Sequence, residues 1–66
     1  MVNIQLIEEL RIEHGYTQEQ IAIKLGYGSR STYNCKIKGL RPFTVEDVVN
    51  VCKIFNLQPN DLIVMN

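Results

Sequence analysis

Five cations stand between Lys24 and Arg41 (Lys24, Arg30, Lys36, Lys38 and Arg41), and no Asp or Glu stands among them. Hydroxyl and carboxamide side chains surround Arg30: Ser29, Ser31, Thr32 and Asn34. A guanidinium can donate two parallel hydrogen bonds to guanine O6 and N7, and an Asn carboxamide suits the adenine edge. Ser29, Arg30, Ser31 and Asn34 are therefore candidates for reading bases. Lys36, Lys38 and Arg41 follow, and cations there would neutralise phosphates, which positions a protein without reading sequence. Each residue also has a plainer role. Arg30 could be a phosphate contact or a solvated side chain, Ser29 a helix cap, and the later cations an aid to solubility. The seven acids (Glu8, Glu9, Glu13, Glu19, Glu46, Asp47 and Asp61) lie outside the segment and balance the seven cations, so the neutral total hides a segregated charge.

Other chemistries find little support. No nucleophile–base pair, paired carboxylates or phosphate-cradling glycine loop stands out, so no enzyme activity, cofactor, metal or small-molecule substrate is expected. His14 is the only histidine, and a helix-terminal cation suits it better than catalysis. Cys35 and Cys52 form no C-x-x-C pair. Both read as small packing residues, although Cys35 could share the face of Arg30. Two scattered cysteines and no apolar run long enough to span a bilayer point to a reduced cytoplasmic protein. Sixty-six residues make one domain, residues 1–66, whose core leaves a margin of only a few kcal/mol.

The elements that must carry these residues are five short helices. The first runs from Ile4 to His14, capped by Asn3 and stopped by Gly15. Thr17 and Gln20 match a capping box that opens the second, with Ile21, Ala22 and Leu25 inward and Gly26 at its end. The third spans Ser29 to about Ile37. It is polar, and Tyr33 and Ile37 can anchor it. Thr44 and Asp47 cap the fourth, where Val45, Val48, Val49, Cys52 and Phe55 form the inner stripe and Asn56 stops the chain. Pro59 opens a last helix to about Val64.

Ala22 allows close helix packing and Gly26 a sharp turn, and a basic, hydroxyl-rich helix follows at once. The chain resembles the Cro/lambda-repressor-like (xenobiotic-response-element type) helix-turn-helix family. The first half of the likeness is Leu10-Arg11, the stretch from Gly15 through Thr17-Gln18-Glu19-Gln20 to Ala22, and Leu25-Gly26. The second half is Ser29-Arg30-Ser31-Thr32, Gly39, the stripe to Phe55, and Asp61-Leu62. The resemblance implies an all-α, five-helix lambda-repressor-like domain with the third helix in the DNA major groove. It also implies phosphate contact by Gln18, with Thr17 beside it.

Some positions depart from the family pattern. Gly26 to Gly39 is one residue longer than the common spacing. The two core positions of the third helix then fall on Tyr33 and Lys36, or in the shorter register on Thr32 and Cys35, or a rotated helix buries Ile37. Ile37 also stands where the family often has Glu, and Phe43 where it commonly has Pro.

The expected function is sequence-specific regulation of transcription by a small bacterial or phage Cro-like repressor, a homodimer on a double-stranded operator. Leu57, Leu62, Ile63, Val64 and Met65 would supply the dimer interface. The alternative is a protein-interaction module on the same fold, such as an antirepressor or an antitoxin-like partner binder.

Overall fold

Local hydrogen-bonding side chains start four of the five helices, and positive-φ residues end most of them. The computed structural model describes residues 1–64. Helix α1 is Ile4–Glu13; the Asn3 carboxamide accepts from the Leu6 amide at 3.1 Å. Helix α2 is Gln18–Lys24; Thr17 Oγ1 accepts from the Gln20 amide (3.0 Å) and Gln20 Oε1 from the Thr17 amide (2.8 Å). Gly26 follows at φ 82°, where a Cβ would be strained. Helix α3 is Arg30–Ile37, and Gly39 follows it at φ 81°. Helix α4 is Val45–Phe55, boxed by Thr44 and Asp47 and ended by Asn56 in the left-handed region (φ 56°, ψ 49°). Helix α5 is Pro59–Leu62.

The described residues form five helices and no strand. A single antiparallel bridge joins Val2 to Ile63. That bridge ends α5 two residues before the expected Val64. The Leu62 carbonyl accepts from the Asn3 amide at 2.7 Å, and Ile63 is extended. Pairing with the segment before α1 has displaced a further helical turn.

Helices α2 and α3 pack on each other, as do α4 and α5. Ile7, Ile21, Tyr33, Val51 and Leu62 are fully buried, joined by Ala22, Leu25, Val48, Cys52 and Phe55. Each large aliphatic among them contributes about 1.5–3 kcal/mol by leaving water. The inner stripe of α4 differs from the expected one. Val45 is 82% exposed and Val49 42%, while Val51 is fully buried. The inner face is set by Val48, Val51, Cys52 and Phe55, which keeps the 3–4 spacing but rolls it away from Val45.

Asp47 is the buried charged residue of this core. Its carboxylate accepts from the Thr44 amide (2.9 Å) and the Tyr27 hydroxyl (2.8 Å), and it pairs with Lys36. Removing one partner of a buried ion pair leaves the other uncompensated. Asp47→Ala is therefore expected to lower stability by about 3–5 kcal/mol, measured by denaturant unfolding. A loss below about 1 kcal/mol, the scale of an exposed pair, would mean that this contact does not hold the fold together.

Candidate nucleic-acid interface

Helix α3 is held from beneath by polar groups. Tyr33 is fully buried, and its hydroxyl donates to Glu8 Oε1 at 2.7 Å. Glu8 also receives Arg11 Nε and Nη2, both at 2.9 Å, and Arg11 Nη1 donates to the Tyr16 carbonyl at 2.8 Å. One turn on, the Lys36 ammonium pairs with Asp47 and lies 4.7 Å from the centre of the Tyr27 ring. The inward pair is thus Tyr33 and Lys36, the longer of the two registers, with Ile37 partly buried against the core.

This geometry removes one expected phosphate contact. Lys36 has a side chain only 11% exposed, and its charge is already compensated by Asp47. A cation buried and paired in this way cannot also reach into solvent. The polar linear sequence of α3 conceals this, because an inward Lys is legible only when its partner is known to be Asp47, eleven residues on in the chain and brought to it by the fold.

The two networks shift the ionisations of their members. Arg11 hydrogen bonds draw the Glu8 carboxyl below its ordinary range against the opposing effect of burial, with the Tyr33 hydroxyl helping. Burial works to raise Asp47, but hydrogen bonds from Lys36, the Thr44 amide and Tyr27 outweigh it and leave the group lowered. Burial, then the neighbouring carboxylates, pushes the Tyr27 and Tyr33 hydroxyls well up.

The outward side of α3 is arranged differently. Arg30, Ser31 and Lys38 are exposed, and Asn34 and Cys35 are half-buried. All five line one shallow cleft with Gln18 of α2. Asn34 Nδ2 donates to Gln18 Oε1 at 3.3 Å, tying the two helices at this cleft. Arg30 also borders a cleft with Arg11, Thr17, Gln18 and Glu19, and another with Ser29, Gly28 and Ile23. The other three expected base-reading residues, Ser29, Ser31 and Asn34, therefore lie around Arg30, with Thr17 and Gln18 beside them. Ser29 occupies the N-cap position of α3, yet its side chain makes no capping hydrogen bond, so the expected cap is not formed. Thr17 has its hydroxyl oxygen engaged by the Gln20 amide and retains its O–H as a donor.

Arg41 is exposed in the loop after α3 and outside these clefts; its amide donates to the Cys35 carbonyl at 3.4 Å. Lys24 stands apart, its ammonium 4.9 Å from the centre of the Tyr16 ring. Arg11, Glu19 and Ile23 border the clefts without having been singled out as site residues. The helical spacing of Glu19 and Ile23, one turn apart on α2, was the signal available for them. No group of three or more metal-ligating side chains occurs among the described residues, and no helix there is long and apolar enough to cross a membrane.

No protein-family model, curated protein or solved structure matches this chain.

The expected dimer residues divide. Leu62 is fully buried in the core of its own chain and has no surface to offer a partner. Leu57 and Ile63 are half-buried against that core, Val64 is 39% exposed, and Met65 lies outside the described residues. An open apolar groove borders Ile63 and runs along Val2, Phe43, Val45 and Val49.

The shifted groups define a pH window. Glu8 and Asp47 are lowered, so their contribution is present above the ordinary carboxylate range and is lost as pH falls through their folded values. Tyr27 and Tyr33 are raised, so theirs is present below about pH 10 and declines above it. The urea midpoint is expected to be flat between about pH 5 and 9 and to fall at both ends. A midpoint unchanged down to about pH 2.5 would show that neither carboxylate is held as described.

Proposed function

We propose that this chain is a sequence-specific DNA-binding regulator of transcription, a small Cro-like repressor of bacterial or phage type. On this reading α2 and α3 are a helix-turn-helix. Helix α3 enters the major groove, α2 braces on the backbone, and a homodimer blocks its operator. The observation that carries the reading is the gathering of Arg30, Ser31, Asn34 and Lys38 with Gln18 around one cleft. No carboxylate pairs with Arg30, Lys38 or Arg41 among the described residues. Donors for base edges and cations for phosphates thus share one face, on which Asn34 also bonds Gln18.

In the proposed division of labour, Arg30 reads a guanine, Ser31 and Asn34 contact neighbouring bases, and Ser29 borders the same edge. Thr17, Gln18, Lys38 and Arg41 hold phosphates. The dimer surface is proposed on Ile63 and Val64 together with the exposed Val45 and Val49 of α4. The apolar groove there also supports the second reading, a module that binds another protein through this fold. Loss of salt-sensitive DNA binding in a folded sample distinguishes that case.

Each neutralised phosphate adds about −0.9 to the slope of log K against log salt. Lys38 and Arg41 in two chains therefore give a slope of about −3.6. A flat salt response removes the DNA-binding reading.

Reading and positioning separate by substitution. Arg30→Ala is expected to lose about 1–3 kcal/mol of discrimination at one base pair. Lys38→Ala is expected to weaken all sequences alike and to reduce the salt slope by about one unit per contact. Binding isotherms against an operator selected from random duplex DNA, and against its single-base changes, check both. Equal weakening on every sequence by Arg30→Ala would make Arg30 a phosphate contact.

A further inference from the structure

Four of the eight residues of α3 line the clefts (Arg30, Ser31, Asn34 and Cys35), where Asn34 bonds Gln18 of α2, and on its inner side two residues end in groups that bond to other helices. Tyr33 is tied to Glu8 on α1, and Lys36 to Asp47 on α4. The two residues are three apart and so lie on one side of the helix, yet their partners belong to different neighbours. Apolar contacts are non-directional and tolerate small rotations. Hydrogen bonds weaken steeply as their angle falls, so two of them to two helices fix rotation as well as distance.

We propose that Tyr33 and Lys36 set the roll of α3 about its own axis, and thereby determine which base edges Arg30, Ser31 and Asn34 can reach. The inference rests on the DNA-binding reading above. It gives Lys36 a role in recognition without a phosphate contact: it is a positioning residue, acting through α3. The lever is large enough. A side-chain tip about 6 Å from a helix axis moves about 1.5 Å for a 15° roll. That displacement exceeds the whole range over which N–H···O hydrogen bonds form, about 2.7–3.2 Å. Phosphate contacts by Lys38 and Arg41 are less exacting, because a flexible point charge acts over a longer range.

The two tethers also differ in what their loss leaves behind. Tyr33→Phe removes one hydroxyl, and Glu8 retains both Arg11 bonds. Lys36→Met removes the ammonium while its alkyl volume is kept, and Asp47 retains the Thr44 amide and the Tyr27 hydroxyl. Lys36→Arg keeps a cation that can donate to Asp47.

The experiment uses the full chain. Wild type first selects an operator from random duplex DNA. The three variants are then measured against that operator, its single-base changes and unrelated duplex, with salt titrations and thermal melts alongside. For Tyr33→Phe and Lys36→Met, discrimination between operator and single-base changes is expected to fall about tenfold, within the range of one bidentate base contact. Affinity for unrelated duplex and the salt slope are expected to stay at wild-type values. Lys36→Arg is expected to retain the discrimination. Unchanged discrimination in both Tyr33→Phe and Lys36→Met overturns the proposal. So does a Lys36→Met that lowers the salt slope by about one unit per contact, since that marks a phosphate contact instead. If Lys36→Met does not fold, Tyr33→Phe decides alone. A wild type that enriches no sequence takes down the DNA-binding reading itself, and that arm involves no variant.

Discussion

The carboxylate of Asp47 fastens three parts of the chain at once. It closes the first turn of α4 through the Thr44 amide, receives the hydroxyl of Tyr27 from the turn between α2 and α3, and pairs with Lys36 near the end of α3. A buried carboxylate without partners costs several kcal/mol, so such a group persists only where its lone pairs are answered. Here they are: no buried side-chain nitrogen or oxygen among the described residues lacks a hydrogen-bond partner. The arrangement lets a lysine occupy an inward position that would otherwise need an apolar side chain.

The consequence falls on α3. Two turns of helix with one fully buried side chain, Tyr33, are held neither by intrinsic propensity nor by burial alone. The Glu8–Arg11 pair supplies the second tether, and it works from α1. With its inner side fastened by polar groups, α3 uses its outer side for the Asn34–Gln18 hydrogen bond and leaves Arg30, Ser31 and Lys38 without a side-chain partner among the described residues. Ser29 does not cap, and Arg30 and Lys38 remain in solvent. An interface for an outside partner requires a surface of that kind.

The parts of this design that lie within a few residues of each other were legible in the sequence. Thr17 with Gln20, Thr44 with Asp47, and Asn3 before α1 all form the expected caps, because each is a local bond of three residues' reach. The placement of Ser31 and Asn34 toward the outward side of α3 followed from helical spacing alone. What depended on distant partners was not legible. Lys36 looked like a solvent cation because Asp47 and Tyr27 are brought to it only by the fold. Val45 and Val51 exchanged roles because four valines in seven residues leave two possible stripes, and packing against the other helices chooses between them. The end of α5 was set by Val2, sixty-one residues away in the chain. Leu62 looked like interface for the same reason: an apolar C-terminal run has no internal sign of which members turn inward.

The charge pattern also changes meaning once the fold is known. Of the five cations in the middle of the sequence, Lys36 is neutralised by Asp47, and Lys24 lies against the Tyr16 ring. Arg30, Lys38 and Arg41 remain, and the chain as a whole is neutral. Sequence-independent attraction to a polyanion scales with the number of phosphates neutralised, so three cations give a weak general hold. On the proposed reading, recognition must then draw on two other sources: base contacts of good geometry, and pairing of two chains on one site. The first demands that α3 be fixed in rotation, which flexible apolar anchoring would not guarantee. The second demands an exposed apolar surface, and the outward valines of α4 beside Ile63 offer one. The same scarcity of free charge therefore gives a physical reason for a polar underside on α3 and for valines left in water on α4.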